Sequence, residues 1–342
     1  MSRRMLTLVL STALMLVMAL AAAGPAQAAP SKAKAREKAG HARVVKYWTP
    51  ARLANAEPRD FVKTKRGFVP AARGGDKGKP PKDPGDGGGG GGTTTVTGAS
   101  WTAGGPALKG TGKVFFTMDG SNYVCSGATA NDKGRSSYSL VLTAGHCAYD
   151  ETNGAFATNW MFIPQYDSAP TRTCGATAQG CWTAVGLVVH NGYASAGGFN
   201  TQAIRHDWAF AVVGNGSQGG QLDVRVPDFP IAFDAKSEAR HAFGYPAAGQ
   251  YLGNDLVYCA GNVISDSALG NDTWGLHCDM TPGSSGGPWF KTFDTTAMLN
   301  SVNSYKYNGG KKKKYMFGPK FDLKTKDVYD AARSATGNKK VN

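Results

Sequence analysis

Residues 281–288 read TPGSSGGP, a serine pair set in a glycine-rich turn. Glycine tolerates backbone conformations that are closed to other residues, and such a turn leaves backbone N–H groups free to bind an anionic oxygen. A serine hydroxyl is a weak nucleophile until a neighbouring base removes its proton. The stretch therefore predicts a nucleophilic serine, Ser285, and requires a base elsewhere in the chain.

Two further stretches supply a base and a partner for it. Residues 142–147 read LTAGHC, in which an apolar strand ends in small residues and displays His146 beside a cysteine. Residues 205–213 read RHDWAFAVV, which places Asp207 just before a strand that is apolar enough to be buried. A carboxylate shielded from water can hold a histidine in one tautomer. The adjacent His206 is interpreted as a solvated neighbour without a catalytic role.

At these residues the chain resembles the chymotrypsin-like serine peptidases. The family's histidine motif T-A-G-H-C matches residues 143–147 throughout, and its serine motif G-D-S-G-G-P matches residues 283–288 at five of six positions. The order His, Asp, Ser is also the order of the family. The resemblance extends from about Thr97 to Phe321 and is nearest to the bacterial secreted trypsin-like branch, which includes the glutamyl endopeptidases.

The resemblance implies a secreted serine endopeptidase that hydrolyses peptide bonds through an acyl-enzyme intermediate. His146 would be the general base and then the acid, Asp207 would orient it, and Ser285 would be the nucleophile. The backbone N–H groups of Gly283 and Ser285 would form the oxyanion hole. Animal trypsins are activated through an aspartate that precedes the nucleophile. Ser284 stands at that position here, so any zymogen of this chain must be activated differently.

The implied substrate-binding residues are Asp279, Ser304 and Tyr305. Asp279 lies where trypsins keep the aspartate that selects Arg or Lys, but glutamyl endopeptidases also resemble this pattern, so basic and acidic preferences both stay open. Glutamate-specific relatives place a histidine where Asn303 stands, which weakens the acidic alternative. Lys306 and Lys311–Lys314 follow closely, and we interpret them as a solvated hairpin tip rather than as selectors of acidic substrates.

Short apolar runs separated by turn residues fill the chain after residue 97. About a dozen such runs, rich in Val, Tyr, Phe and Trp, predict an all-β barrel or sandwich domain. The resemblance sharpens this to two six-stranded Greek-key β-barrels packed together. A short C-terminal helix is predicted at about Lys326 to Ala332, and a shorter helix is predicted from Pro50 to about Ala56, because Thr49 and Pro50 form a typical helix start.

Composition divides the chain into five parts. Residues 1–28 have two early arginines, an apolar stretch and the small-x-small sequence Ala26-Gln27-Ala28, which together indicate a secretory signal peptide. Residues 29–86 form a basic pro-region or a disordered arm, and these two alternatives stay open. Residues 87–96 are a Gly/Thr-rich linker, residues 97–335 the peptidase domain and residues 336–342 a basic tail.

The six cysteines all lie between Cys125 and Cys278, and an even number in an exported chain indicates disulfides. Six cysteines allow 15 connectivities, so spacing does not fix the pairing. The resemblance implies Cys125–Cys147, Cys174–Cys181 and Cys259–Cys278. The spacings contain no metal-binding pattern, and the implied chemistry needs no cofactor.

The formal net charge of +14 suggests a polyanion binder until its distribution is considered. Residues 29–92 carry 15 Lys+Arg and 6 Asp+Glu, whereas residues 93–342 carry only +3. We therefore expect protein or peptide substrates, no nucleic-acid partner, no membrane association after signal removal, and a monomer. A catalytically inactive secreted binding protein on the same fold is the main alternative. A basic adhesion or wall-binding protein that acts through residues 29–92 is a further one.

Overall fold

The computed structural model describes residues 32–71, 95–134, 137–168, 173–177 and 179–342. The expected signal peptide and most of the expected linker lie outside these residues. No helix within the described ranges is both long enough and apolar enough to cross a bilayer.

The described chain is mostly strand. The strands are β1 Glu57–Pro58, β2 Phe61–Thr64, β3 Gly67–Pro70, β4 Val96–Ser100, β5 Thr111–Met118, β6 Ser121–Ala130, β7 Ser139–Thr143, β8 Tyr149–Asp150, β9 Ala155–Phe156, β10 Thr158–Pro164, β11 Trp182–His190, β12 Ala209–Val213, β13 Ala239–Gly244, β14 Val257–Asn262, β15 Ile264–Ser265, β16 Thr273–His277, β17 Pro288–Lys291, β18 Met298–Val302, β19 Tyr305–Tyr307, β20 Tyr315–Pro319 and β21 Lys339–Val341. The helices are α1 Lys32–Tyr47, α2 Pro50–Ala54, α3 Gly105–Gly110, α4 Asn191–Ala194, α5 Thr201–Ile204, α6 Leu222–Arg225 and α7 Leu323–Ser334.

Six strands close into the first barrel. They follow the order β6-β5-β10-β11-β12-β7, and an additional β6–β7 pairing closes the ring. Every residue of β7 and of β12 is buried. Apolar runs of this kind have both faces covered, and the sequence shows them as continuous rather than alternating apolar stretches. The predicted all-β fold is confirmed.

The strands of the second half are divided between two sheets. One has the order β18-β17-β13-β14-β4, and the other has the order β15-β16-β20-β19-β2-β3. Trp289 and Arg240 are among the largest fully buried side chains of this half. The Arg240 guanidinium donates to Asn300 Oδ1 at 2.6 Å and to the carbonyl of Lys236 at 2.7 Å.

The C-terminal segment packs back on the first barrel. In α7 a capping box joins Asp322 and Thr325, which fixes the start of the predicted helix. Tyr329 packs against Phe210 of β12, with ring centroids 5.6 Å apart. The expected basic tail contains β21, which pairs in parallel with β11.

Residues 32–71, called here the N-terminal arm, dock on the barrels. Val44, Trp48 and Leu53 are buried in the main hydrophobic core, and Trp48 Nε1 donates to the carbonyl of Asn159 at 2.6 Å. The helix expected at Pro50 is present, with Thr49 as its N-cap. The strand β1 pairs in parallel with β6, and β2 pairs in parallel with β19. The arm therefore lies across both halves of the molecule.

Three disulfides tie the loops, and they join the expected pairs: Cys125–Cys147, Cys174–Cys181 and Cys259–Cys278. The first joins β6 to the turn that carries His146, so it braces the most important loop of the first barrel. No free cysteine remains among the described residues.

Candidate active site

His146 and Asp207 meet because β7 and β12 are neighbours. Thr143, at the end of β7, pairs with Ala209, at the start of β12. His146 lies in the short turn after β7, and Asp207 lies just before β12. Asp207 Oδ2 is 2.8 Å from His146 Nδ1, and Asp207 Oδ1 accepts a hydrogen bond of 2.9 Å from the His146 backbone N–H. These contacts hold the imidazole with Nδ1 towards the carboxylate.

Ser304 also binds the carboxylate of Asp207. Its hydroxyl donates to Asp207 Oδ2 at 2.5 Å. The side chains of His146 and Asp207 are fully buried. Burying a carboxylate is costly unless it is hydrogen-bonded, and Ser304 together with the backbone N–H of His146 provides such bonds. Ser304, expected to bind substrate, is thus found supporting the aspartate.

Ser285 lies in the loop between β16 and β17, and the loop path requires glycine. Gly283 has φ of +101°, and a Cβ there would lie 2.8 Å from the Cβ of Ala247. Gly286 has φ of +79°, and a Cβ there would lie 2.2 Å from Thr143 Oγ1. The neighbouring Ser284 donates its hydroxyl to the carbonyl of Thr281 at 2.9 Å. Ser285 is therefore the serine with its hydroxyl turned to the site.

A carboxylate from the N-terminal arm occupies the site. Ser285 Oγ donates to Asp60 Oδ1 at 2.6 Å, and the backbone N–H of Gly283 donates to Asp60 Oδ2 at 2.8 Å. His146 Nε2 is buried and has no hydrogen-bond partner among the described residues. Burial raises the pKa of Asp60, while the charge of His146 and the bonds from Ser285 and Gly283 oppose that rise.

Aromatic rings of the arm and the barrel seal the imidazole. Phe61 and Phe199 stack with centroids 4.0 Å apart, and their edges face His146 at 5.6 and 5.5 Å. Phe68 of the arm packs edge-on against Phe199 and Tyr305. The docked arm thus shields from water the atoms that the sequence predicts to be catalytic.

A cavity of about 20 Å³ remains next to the site. The barrel residues that line it are Thr281, Pro282, Ser304, Tyr305, Lys306 and Met316. Lys306 is partly buried, and its ammonium donates to the carbonyl of Cys278 at 2.5 Å. Our interpretation of Lys306 as part of a solvated hairpin tip is therefore wrong. Its chain is folded back against the wall of the cavity.

Asp279 does not line this cavity in the described structure. Its carboxylate is exposed and accepts bonds from the Tyr251 hydroxyl at 2.5 Å and from Gln250 Nε2 at 3.0 Å. Its backbone N–H donates to the carbonyl of Thr97. The structure thus brings His146, Asp207 and Ser285 into one site with Ser304 and Tyr305, and it leaves Asp279 on the outer side.

The contacts of two acidic residues could not be predicted from the sequence. Asp60 lies 225 residues before Ser285, in a segment without a motif. Asp266 is fully buried and accepts bonds from the hydroxyls of Tyr305 and Tyr307 at 2.8 and 2.7 Å and from the ammonium of Lys312. The lysine run therefore includes a half-buried lysine, Lys312, that pairs with the buried Asp266 beneath β19. Isolated acids give no sequence signal for such roles.

His206 also departs from expectation. It stacks on His190 with ring centroids 4.2 Å apart and packs against Trp208. Burial, with a contribution from His190, lowers its pKa to about 4. It is a neutral packed residue rather than a solvated one, and its buried Nδ1 has no hydrogen-bond partner within the described part of the chain.

Residues 99–193 match the family model of the lysyl endopeptidase C-terminal domain. No curated protein sequence matches the chain.

Among solved structures, the protease Anisep from Arthrobacter nicotinovorans is 38% identical, with a TM-score of 0.57, over 66% of this chain and 96% of that chain. The thermostable serine protease AL20 from an extremophilic microorganism is 36% identical, with a TM-score of 0.58, over 67% of this chain and 100% of that chain. A Glu endopeptidase in complex with MPD is 15% identical, with a TM-score of 0.51, over 70% of this chain and 97% of that chain, and shows likeness of fold alone. Since this chain covers nearly all of two proteases that are more than 30% identical to it, it belongs to the chymotrypsin-like serine peptidases.

Proposed function

We propose that the chain is an exported serine endopeptidase that works through His146, Asp207 and Ser285. The observation that carries the proposal is the buried bond from Asp207 to His146 Nδ1, which leaves Nε2 available beside the carboxylate that now holds the Ser285 hydroxyl. An imidazole held in this way is a base with its free nitrogen directed at a nucleophile. The inactive binding protein has no observation in its favour.

The proposed reaction proceeds in two halves. His146 Nε2 takes the Ser285 proton while Oγ bonds to the substrate carbonyl carbon, and the oxyanion is held by the N–H groups of Gly283 and Ser285. His146 then gives the proton to the leaving amine, and an acyl-enzyme remains. Water, deprotonated by His146, hydrolyses that ester and restores the serine. Asp207 stabilises the imidazolium in both halves.

We further propose that the N-terminal arm is an inhibitory pro-region. Asp60 takes the hydroxyl proton that His146 would need, and it holds the Gly283 N–H that an oxyanion would need. Asp60 meets Ser285 with its side-chain carboxylate, while its own backbone carbonyl accepts a hydrogen bond from the N–H of Ala71, so this contact differs from that of a peptide bond about to be cut. This contact favours the pro-region over the disordered arm. Export is supported by the signal pattern of residues 1–28 and by the disulfides.

A fluorophosphonate probe tests the activity directly, because it reacts only with an activated serine. We expect the secreted, processed protein to be labelled at Ser285, with peptide mapping by mass spectrometry as the measurement. N-terminal sequencing of the same sample should show a start after the arm. A processed, folded protein that takes up no label would contradict the proposal.

Substrate preference is proposed from the cavity of about 20 Å³, which is lined by Ser304 and by Asp60, the residue bonded to Ser285. The lysyl endopeptidase match ends at residue 193, before every barrel residue that lines this cavity, so the name of that family model gives no support for a lysine preference here. Among the described residues of the barrels, Lys306 is the charged one in its lining. Burial lowers the pKa of Lys306 to about 8, and Asp279 counters part of this shift. A cationic wall favours an acidic side chain on the acyl side of the cut bond and disfavours a basic one.

A peptide-library digest of the processed enzyme should therefore show cleavage after Asp or Glu in preference to Lys or Arg. The preference should be largest below pH 8 and should fall as the Lys306 ammonium loses its proton. Lys306→Met should reduce acidic-over-neutral discrimination by roughly tenfold, the worth of about 1.4 kcal/mol. Lys313→Met, in the exposed part of the lysine run, is the matched control. Preferential cleavage after Lys or Arg would show that this assignment is wrong.

A further inference from the structure

The arm also occupies a charged site that lies across Ser285 from the cavity lined by Lys306. Arg59 directly precedes Asp60, and its Nη2 is 3.6 Å from Glu151 Oε2 and 4.0 Å from Asp150 Oδ1. Its Nη1 donates to the backbone carbonyl of His146 at 2.6 Å. The guanidinium side chain is only 12% exposed. A basic side chain is thus seated next to the catalytic histidine.

The two carboxylates that receive it belong to the first barrel and are built into it. The Glu151 side chain is 1% exposed and that of Asp150 is 7% exposed. Glu151 Oε2 accepts a bond of 2.7 Å from the hydroxyl of Tyr193, whose pKa burial raises far above its usual value. Although burial opposes it, bonds from Asn153 and Thr152 lower the pKa of Asp150.

Loss of the arm changes the charge balance of this site. Within the described residues, Arg59 is the cation that forms ion pairs with Asp150 and Glu151. Removing one partner of a buried ion pair leaves an uncompensated charge, which is strongly unfavourable. A barrel without its arm therefore exposes a pair of carboxylates, and binding of another cation would remove the free-energy cost of their unpaired charge.

The direction of the arm shows which part of a substrate would reach this pair. After Asp60 the arm pairs with β19, which carries Tyr305 and Lys306 of the cavity proposed above for the acyl side of the substrate. Before Asp60 it pairs with β6 on the opposite side. A cavity of about 420 Å³ adjoins Arg59 there and is also lined by Tyr123, Asp150 and Glu151. The residues that follow the cut bond would extend into this space.

We propose that Asp150 and Glu151 form a subsite for an arginine or lysine side chain on the leaving-group side of the substrate, and that Arg59 fills this subsite in the precursor. The subsite rests on the proposed peptidase function. The same carboxylates would serve twice, first anchoring the arm and then selecting substrates with a basic residue shortly after the cut bond.

An acyl-transfer experiment tests the leaving-group side of the site separately from the acyl side. The processed wild-type enzyme, made from the full chain, is acylated with one fixed ester substrate, and amino-acid amides compete with water for the acyl group. The α-amine of the acceptor attacks the acyl carbon while its proton goes to His146. The new amide bond forms as the bond to Ser285 Oγ breaks, and His146 passes that proton to Oγ, which restores the serine hydroxyl. Arginine amide is compared with citrulline amide, which has a similar shape without the charge.

We expect arginine amide to be about tenfold the better acceptor, measured as the ratio of transfer to hydrolysis, which corresponds to one charge-assisted contact. Glu151→Gln, which keeps the bond to Tyr193, should bring arginine amide close to the citrulline value. Asp119→Asn, an exposed carboxylate in the same cavity, should leave the ratio unchanged.

Hydrolysis of the ester, measured in the same reaction, distinguishes failure of the peptidase proposal from failure of the subsite proposal. If the ester is not hydrolysed at all, the peptidase proposal has failed. If the ester is hydrolysed but wild-type enzyme treats arginine and citrulline amides alike, the subsite is refuted whatever the variants do. Because that comparison needs only wild-type protein, misfolding of Glu151→Gln cannot obscure it.

Discussion

Replacement of Ser285 by alanine is expected to lower the rate of peptide hydrolysis by roughly 10⁵-fold or more, because the acyl-enzyme can no longer form. His146→Ala should cost a similar factor, since the two residues act as one unit and their losses do not add. The measurement is kcat/KM of the processed enzyme on a chromogenic peptide. Any residual rate would come from the oxyanion hole and from substrate binding alone.

Ser284→Ala is the matched control for this experiment. The Ser284 hydroxyl is bound to the carbonyl of Thr281 and takes no part in the proposed reaction. We expect activity within a few-fold of the wild type, reduced only by the loss of a bond worth about 1 kcal/mol to the loop. Activity that survives in Ser285→Ala and disappears in Ser284→Ala would reverse the assignment of the nucleophile.

Removal of the inhibitory Asp60 carboxylate is expected to activate Ser285 in the unprocessed chain, and this is the second large expected effect. Asp60→Ala in the full-length chain removes the acceptor of the Ser285 hydroxyl and of the Gly283 N–H. Hydrogen bonds to a charged group are each worth about 1.5–3 kcal/mol. The rate of fluorophosphonate labelling of the intact precursor should therefore rise by roughly 100-fold, as His146 regains the serine proton.

Samples are taken at successive times and analysed by mass spectrometry, which separates the labelled unprocessed chain from any processed protein by mass. Glu37→Gln is the control, because this carboxylate also lies in the arm but binds the backbone N–H of Asn215, away from Ser285. We expect it to change the labelling rate by a few-fold at most. Equal labelling rates for wild-type and Asp60→Ala precursors would mean that Asp60 does not restrain the serine.

Much of the barrel could be predicted because its strands carry their own signals. The continuous apolar run that ends at Thr143 and the one that begins at Ala209 each indicate a buried strand, and both are present. Thr49 with Pro50, and the end of the chain near Tyr329, likewise indicate helices through local capping and spacing. The helix α1 was not predicted, because its sequence is basic and few of its residues are apolar. It is held by Val44 and by contacts such as that of Tyr47 with Asn122.

The family resemblance, the three candidate catalytic residues and the positions of most strands could be read from the amino-acid sequence, since each depends on a contiguous motif or a local pattern. Other contacts became visible only in the folded chain. Asp60 binds Ser285, and Arg59 pairs with Asp150 and Glu151. Lys306 lines the cavity, whereas Asp279 bonds to Tyr251 outside it. Each of these contacts joins residues that are distant in the sequence, and the direction of a charged side chain depends on which buried partners surround it. Burial of that kind is a property of the folded chain, and no local pattern encodes it.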